Sequence, residues 1–172
     1  MYYADFKQLD TVNGQGIRHS LWVSGCTHRC KGCFNVKAWN FKYGKEFTKE
    51  TEEMVLDSFR NAPVKLSGLS LLGGEPFENV EGLLPFLKRF KEEFPDMTIW
   101  CWTGFTFGDL LCTTDKKTRE MLHLLDVLVD GKFIEKQKDL TLKFRGSKNQ
   151  RVIDLKKSFA LYRTVLWEDR YE

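Results

Sequence analysis

Three cysteines fall within eight residues in Cys26-Thr27-His28-Arg29-Cys30-Lys31-Gly32-Cys33. The gaps are three residues and then two, so one short loop can wrap three sulfurs around a compact object. The number of ligands is the informative part. A structural zinc site closes with four protein ligands. A four-iron cluster held by three cysteines leaves one iron open to an outside ligand. Zinc stays an alternative if His28, Cys101 or Cys112 completes the set. His28 lies inside the loop, where reaching the same ion is cramped, and it reads as a polar surface or supporting residue. Cys101 lies among strand residues, and both it and Cys112 read as small buried hydrophobes. A redox dithiol of Cys30 and Cys33 would leave Cys26 without a task.

A second constellation, Gly73-Gly74-Glu75-Pro76, follows an apolar run. Two glycines let a ligand approach the backbone closely. Pro76 stiffens the turn, and Glu75 offers an acceptor for an ammonium group. Alone such a turn is ordinary. Beside a three-thiolate loop it fits S-adenosylmethionine (SAM), whose amino and carboxylate groups can cap an open iron. An electron from the cluster would then cleave the sulfonium and give a carbon radical. That chemistry belongs to the cofactor; the protein supplies position and keeps water out.

Alternating strands and helices must position both motifs. Residues 17–23 are mostly apolar and read as a strand running straight into the cysteine loop. Thr48 caps a helix through about Asn61, with Met54, Val55, Ser58 and Phe59 on one face. Residues 66–72 form a strand that ends at the glycine turn. Asn79 caps the next helix, in which Pro85 predicts a late start or a kink. Residues 98–103 form a third strand, 109–125 a helix broken near 113–114, and 127–129 a fourth strand. Segments 140–144 and 152–155 read as extended, and the tail from 159 is ambiguous. This alternation implies parallel strands and an α/β fold. The units are too few for a closed eight-stranded barrel, so an open partial (β/α) barrel is expected over one domain, residues 1–172. Its ligand should sit at the carboxyl ends of the strands. The cysteine loop, 73–76, Gly104 and Asp130-Gly131 all fall at that edge.

Composition narrows the setting. Of 172 residues, 27 are basic and 24 acidic, a net +3 that does not call for nucleic acid. The basic stretch 143–157 is interrupted by Asp154 and apolar residues, so it suits a solvated face or a docking surface. No apolar run is long enough to cross a bilayer, and residues 1–7 lack a secretory pattern. A cytoplasmic chain is expected, where clustered cysteines hold metal rather than form disulfides. The odd count of 5 cysteines agrees.

Further motifs appear in order: Asn13-Gly14-Gln15-Gly16-Ile17-Arg18, Cys33-Phe34-Asn35, Trp100-Cys101-Trp102-Thr103-Gly104, Asp130-Gly131-Lys132-Phe133 and Arg145-Gly146-Ser147-Lys148-Asn149-Gln150-Arg151. With the two motifs above, they resemble the activating proteins of anaerobic (class III) ribonucleotide reductase, within the radical SAM superfamily. The resemblance covers about residues 5–155 and leaves 156–172 unassigned. It implies reductive cleavage of SAM to methionine and a 5′-deoxyadenosyl radical. That radical makes a glycyl radical on the large reductase subunit, with a flavodoxin-type donor supplying the electron. By position, Cys26, Cys30 and Cys33 match the cluster ligands. Gly32, Cys33, Phe34, Gly73, Gly74, Glu75 and Pro76 match the surroundings of SAM. Many superfamily members place an aromatic residue just before the third cysteine; here Gly32 stands there and Phe34 follows. Arg18 is expected to support the cluster loop or to pair with a carboxylate. Asp130 and Lys132 are expected to line the substrate side or to form a plain turn, and Asn149 and Arg151 are candidates for touching the reductase. Two other readings stay open: an activase of the formate-lyase type, and a zinc-binding interaction module.

Overall fold

The computed structural model describes residues 1–168; the end of the ambiguous tail, 169–172, lies outside the described residues. Strand β1 (Tyr2–Asp10) pairs antiparallel with β2 (Arg18–Val23). From β2 the sheet continues in parallel through β4 (Gly68–Gly73), β5 (Thr98–Trp102) and β6 (Val127–Asp130). The short β3 (Lys45–Glu46) extends the sheet beyond β1, and β7 (Arg151–Asp154) lies antiparallel on β6. The order across the sheet is β3-β1-β2-β4-β5-β6-β7. The four parallel strands are the ones read from the sequence. The sheet is open, as expected, but its edges differ from that reading because β1, β3 and β7 are antiparallel. β1 escapes detection because its sequence, YYADFKQLD, is mostly polar and half exposed.

Helix α1 (Lys49–Arg60) starts where Thr48 Oγ1 accepts the Thr51 N–H at 3.1 Å. Its buried face is Glu52, Val55, Leu56 and Phe59, spaced three or four apart. The expected face is therefore rotated, and Met54 is 48% exposed. Helix α2 (Val80–Glu93) runs through Pro85. Pro85 cannot donate to the Glu81 carbonyl, but Leu83, Leu84, Phe86, Leu87 and Phe90 are buried around it and hold the helix together. The expected break appears between α3 (Phe107–Leu111) and α4 (Lys116–Leu124), where Asp115 accepts the Thr118 N–H at 2.8 Å. Cys112 ends α3 exposed rather than buried. Helix α5 (Leu155–Leu161) follows β7 directly, so Leu155, read as extended, begins a helix. None of these helices is long and apolar enough to cross a membrane.

One face of the sheet supplies Leu21, Leu69, Leu71, Ile99, Cys101 and Leu128 to a core shared with α1, α2 and α4. Trp100 lies against Arg18, 5.5 Å from the guanidinium to the ring centre. Arg18 does not serve the cysteine loop. It is buried at the amino end of β2, donating to Ser70 Oγ and to the Leu69 and Thr98 carbonyls, each at 2.8 Å. Segment 140–144 is a turn rather than a strand. It brings Phe144 onto Trp100, with centroids 5.1 Å apart, and its carbonyl onto Trp102 Nε1 at 2.6 Å. Trp167 completes this aromatic group 5.0 Å from Trp100.

Asp10 fastens the end of β1. Its buried carboxylate accepts from Ser20 Oγ and Asn13 Nδ2 at 2.7 Å and from the Val12 N–H at 3.0 Å. Burial alone would push its pKa up. Hydrogen bonds from Asn13, Ser20, Val12 and Lys7 outweigh that and hold it at about 2, below the usual 3.8. A depressed folded pKa stabilises above the unfolded value and is lost as pH falls through the folded one. Urea titrations should therefore show stability falling between pH 3.8 and about 2, and falling less in Asp10→Asn. Parallel losses in both proteins would contradict this role.

Candidate functional site

The β2–β4 ladder ends with Val23 opposite Gly73. The chains leaving these strands therefore emerge side by side: Ser24-Gly25-Cys26 from one and Gly74-Glu75-Pro76 from the other. Their backbones stay joined past the sheet. Gly74 N–H donates to the Val23 carbonyl at 2.8 Å, and Glu75 N–H to the Gly25 carbonyl at 2.7 Å. A 3₁₀ turn, Val36–Trp39, closes the loop from behind. Its Ala38 and Trp39 carbonyls accept from the Gly25 and Cys26 N–H groups at 2.7 and 3.2 Å.

Cys26, Cys30 and Cys33 are half-buried free thiols on this one loop. Cys33 N–H donates to the Cys30 carbonyl at 3.2 Å, which curls the second half of the loop. Burial pushes the Cys26 thiol up to about 11. Backbone hydrogen bonds from His28 and Arg29 oppose that rise, while the charges of Glu75 and Glu78 add to it. Binding metal must displace that proton. Among the described residues, no three His, Cys, Asp or Glu side chains converge on a single ion. A four-iron cluster places each thiolate on a different iron and does not require that convergence. Cys101 is buried in the core and Cys112 is exposed at the end of α3. His28 directs Nε2 to Glu75 at 2.8 Å. Three soft, unpaired thiols on one loop are a donor set that fits an iron–sulfur cluster.

Glu75 is 1% exposed, and its carboxylate is fully engaged. Oε1 accepts from Thr103 Oγ1 at 2.8 Å and the Phe77 N–H at 2.9 Å. Oε2 accepts from the Gly104 N–H and from His28 Nε2, both at 2.8 Å. A carboxylate has about four acceptor sites. All four are used by the protein's own donors. Gly74 is also packed against its own chain. A Cβ there would lie 2.8 Å from the Gly25 carbonyl carbon and 2.9 Å from the Ala38 oxygen. Pro76 is buried at the start of the 3₁₀ turn Pro76–Glu78, and Gly73 closes β4 at φ 111°.

Gly32 faces another element: a Cβ would lie 2.9 Å from Glu135 Oε1, and Lys31 pairs with Glu135 at 3.7 Å. Phe34 is 88% exposed. Asp130 is a strand-end staple. It binds Arg151 Nη2 at 2.6 Å and Nε at 3.0 Å, and it accepts the Phe107 N–H at 2.8 Å. Asn149 donates to the Lys132 carbonyl at 2.8 Å. Gln150 accepts the Gly146 and Ser147 N–H groups at 2.9 and 3.1 Å. The late Arg-Gly-Ser…Asn-Gln-Arg motif thus folds its own loop. Sequence reasoning missed Thr103, Glu78 and Asn79. Glu78 accepts the Thr27 N–H at 2.7 Å, and Asn79 donates to the Ser24 and Glu75 carbonyls at 3.1 and 3.0 Å. Thr103 stands inside the third-strand motif and Asn79 reads as a helix cap, while Glu78 left no signal in the sequence.

Residues 12–153 match the family described as a 4Fe-4S single cluster domain, which supports an iron–sulfur cluster in this chain. Relatives narrow the class. The anaerobic ribonucleoside-triphosphate reductase-activating protein of Haemophilus influenzae is 47% identical over 152 residues, 87% of this chain and 96% of its own. The proteins of the same name from Escherichia coli K12 and Enterobacteria phage T4 are 39% and 38% identical. Those alignments span 91% and 88% of this chain, and 100% and 93% of the relatives. The chain belongs to the anaerobic ribonucleoside-triphosphate reductase-activating protein family.

Because a methyl group at position 74 would press on the Gly25 backbone, Gly74→Ala should cost about 1–3 kcal/mol. Urea unfolding of the iron-free chain measures this. Unchanged stability would show that the turn and the cysteine loop are not packed as described.

Proposed function

We propose that Cys26, Cys30 and Cys33 hold one 4Fe-4S cluster whose fourth iron is left for SAM, and that the chain activates anaerobic ribonucleotide reductase. The observation that carries this reading is the shared exit of the cysteine loop and the Gly-Gly turn at the Val23–Gly73 pair, in a chain of this family. The chemistry a bound cluster supplies is one-electron cleavage of SAM to methionine and a 5′-deoxyadenosyl radical, which takes a hydrogen from a glycine of the large reductase subunit.

The chain's own groups bind and orient. Cys26, Cys30 and Cys33 would hold the cluster as thiolates, each thiol losing its proton on binding. Gly73, Gly74 and Pro76 shape the wall on the SAM side, with backbone carbonyls as ammonium acceptors. Glu75 holds that wall in place. Gly32 and Phe34 flank the last ligand. The exposed Phe34 ring is suited to cover SAM and exclude water once ligand is present. Four parallel strands with their loops at one edge support the reading of an open partial (β/α) barrel of the radical SAM type, with residues 1–172 as one domain. A flavodoxin-type donor in the cytoplasm supplies the electron.

Anaerobic reconstitution should give brown protein with about four irons per chain. Mixed with reductant, SAM and the reductase, it should produce a glycyl radical signal in electron paramagnetic resonance. Cys30→Ala should abolish both SAM cleavage and that signal. Full activity in zinc-loaded, iron-free protein would overturn the proposal.

A further inference from the structure

His28 is the one residue between Cys26 and Cys30 whose side chain turns inward, with 8% of it exposed. It enters a slot built by two other strand ends. Nε2 meets Glu75 Oε2 at 2.8 Å, after β4. The imidazole stands edge-on to Phe105, with centroids 4.6 Å apart at 69°, after β5. It also lies over Gly104, where a Cβ would come within 2.6 Å of Nε2. A side chain at 104 would have to displace the ring, because the ring occupies that space. Glu75 spends its remaining acceptor sites on the Phe77 N–H, Thr103 Oγ1 and the Gly104 N–H. One buried carboxylate therefore joins the loops that follow β2, β4 and β5, and His28 is the cysteine loop's only side-chain tie to it.

We propose that His28 and Glu75 are positioning residues, a latch that fixes the cysteine loop against the Gly-Gly turn and so sets how the two halves of the site face each other. This rests on the cluster and SAM reading above, but it assigns Glu75 a different task from binding the SAM ammonium. An ionised carboxylate only accepts, so His28 donates through Nε2. An amide at position 28 can donate in the same place, whereas a methyl cannot.

The test uses the full chain with His28→Ala, His28→Gln and Glu75→Ala. Amide exchange across residues 26–33 is measured before and after anaerobic cluster assembly. SAM affinity and the SAM-induced change in the reduced cluster's electron paramagnetic resonance spectrum are measured after assembly. Partners that orient a metal's ligands typically matter by about ten- to a hundredfold. His28→Ala should speed loop exchange, weaken SAM binding by about tenfold and blunt the spectral change, and His28→Gln should restore all three. Glu75→Ala should match His28→Ala, and the double variant should be no worse than either. The latch is refuted if His28→Ala leaves exchange, affinity and spectrum unchanged. It is equally refuted if Glu75→Ala alone weakens SAM binding, since that would make Glu75 a direct ligand contact. If the wild type assembles no cluster, the cluster reading fails. The exchange arm, which needs no iron, then decides the latch by the same criteria.

Discussion

Parallel pairing of β2 with β4 is the constraint from which the site follows. The ladder runs from Arg18 opposite Gly68 to Val23 opposite Gly73. A one-residue slip would move Leu21 and Val23 out of the core and turn Arg18 into it. Burial therefore locks the register, and the register decides that Cys26 and Gly74 leave the sheet as neighbours. The cysteine loop is short and polar and has little core of its own. It takes its position from the strand before it and from the turn beside it.

Beyond the last ladder pair, buried carboxylates continue the work of the sheet. Glu75 joins the ends of three parallel strands, and Asp130 joins β6 to α3 and β7 through Phe107 and Arg151. Buried charges are tolerable only when hydrogen-bonded, and every carboxylate oxygen of both groups has at least one donor. Strand-end loops lack the regular hydrogen bonding of a ladder, so side-chain acceptors replace it. A buried hub also leaves the exposed rim, with Phe34 and the half-buried thiols, free to meet other molecules.

Much of this was legible in the residues themselves. Apolar runs marked the parallel strands, Thr48 marked the start of α1, and cysteine spacing marked the loop. The illegible parts share a cause: they depend on partners distant in sequence. β1 is a mostly polar strand that forms because β2 offers an edge. Segment 140–144 has strand-like residues but is bent into a turn by packing of Phe144 on Trp100. Leu140 consequently stands 87% exposed. The α1 face was misjudged by one position because helical spacing alone did not separate Met54 from Leu56. At Glu75 the sequence shows a carboxylate beside glycines, but not the four donors from distant segments that surround it.

The central claim is that one loop offers three thiolates to a cluster and leaves one iron for a small molecule. Mössbauer spectroscopy of iron-enriched protein, with and without SAM, tests it most directly. The account predicts that one iron in four changes its coordination on adding SAM while the other three keep sulfur ligands. Four iron sites that all ignore SAM would contradict it.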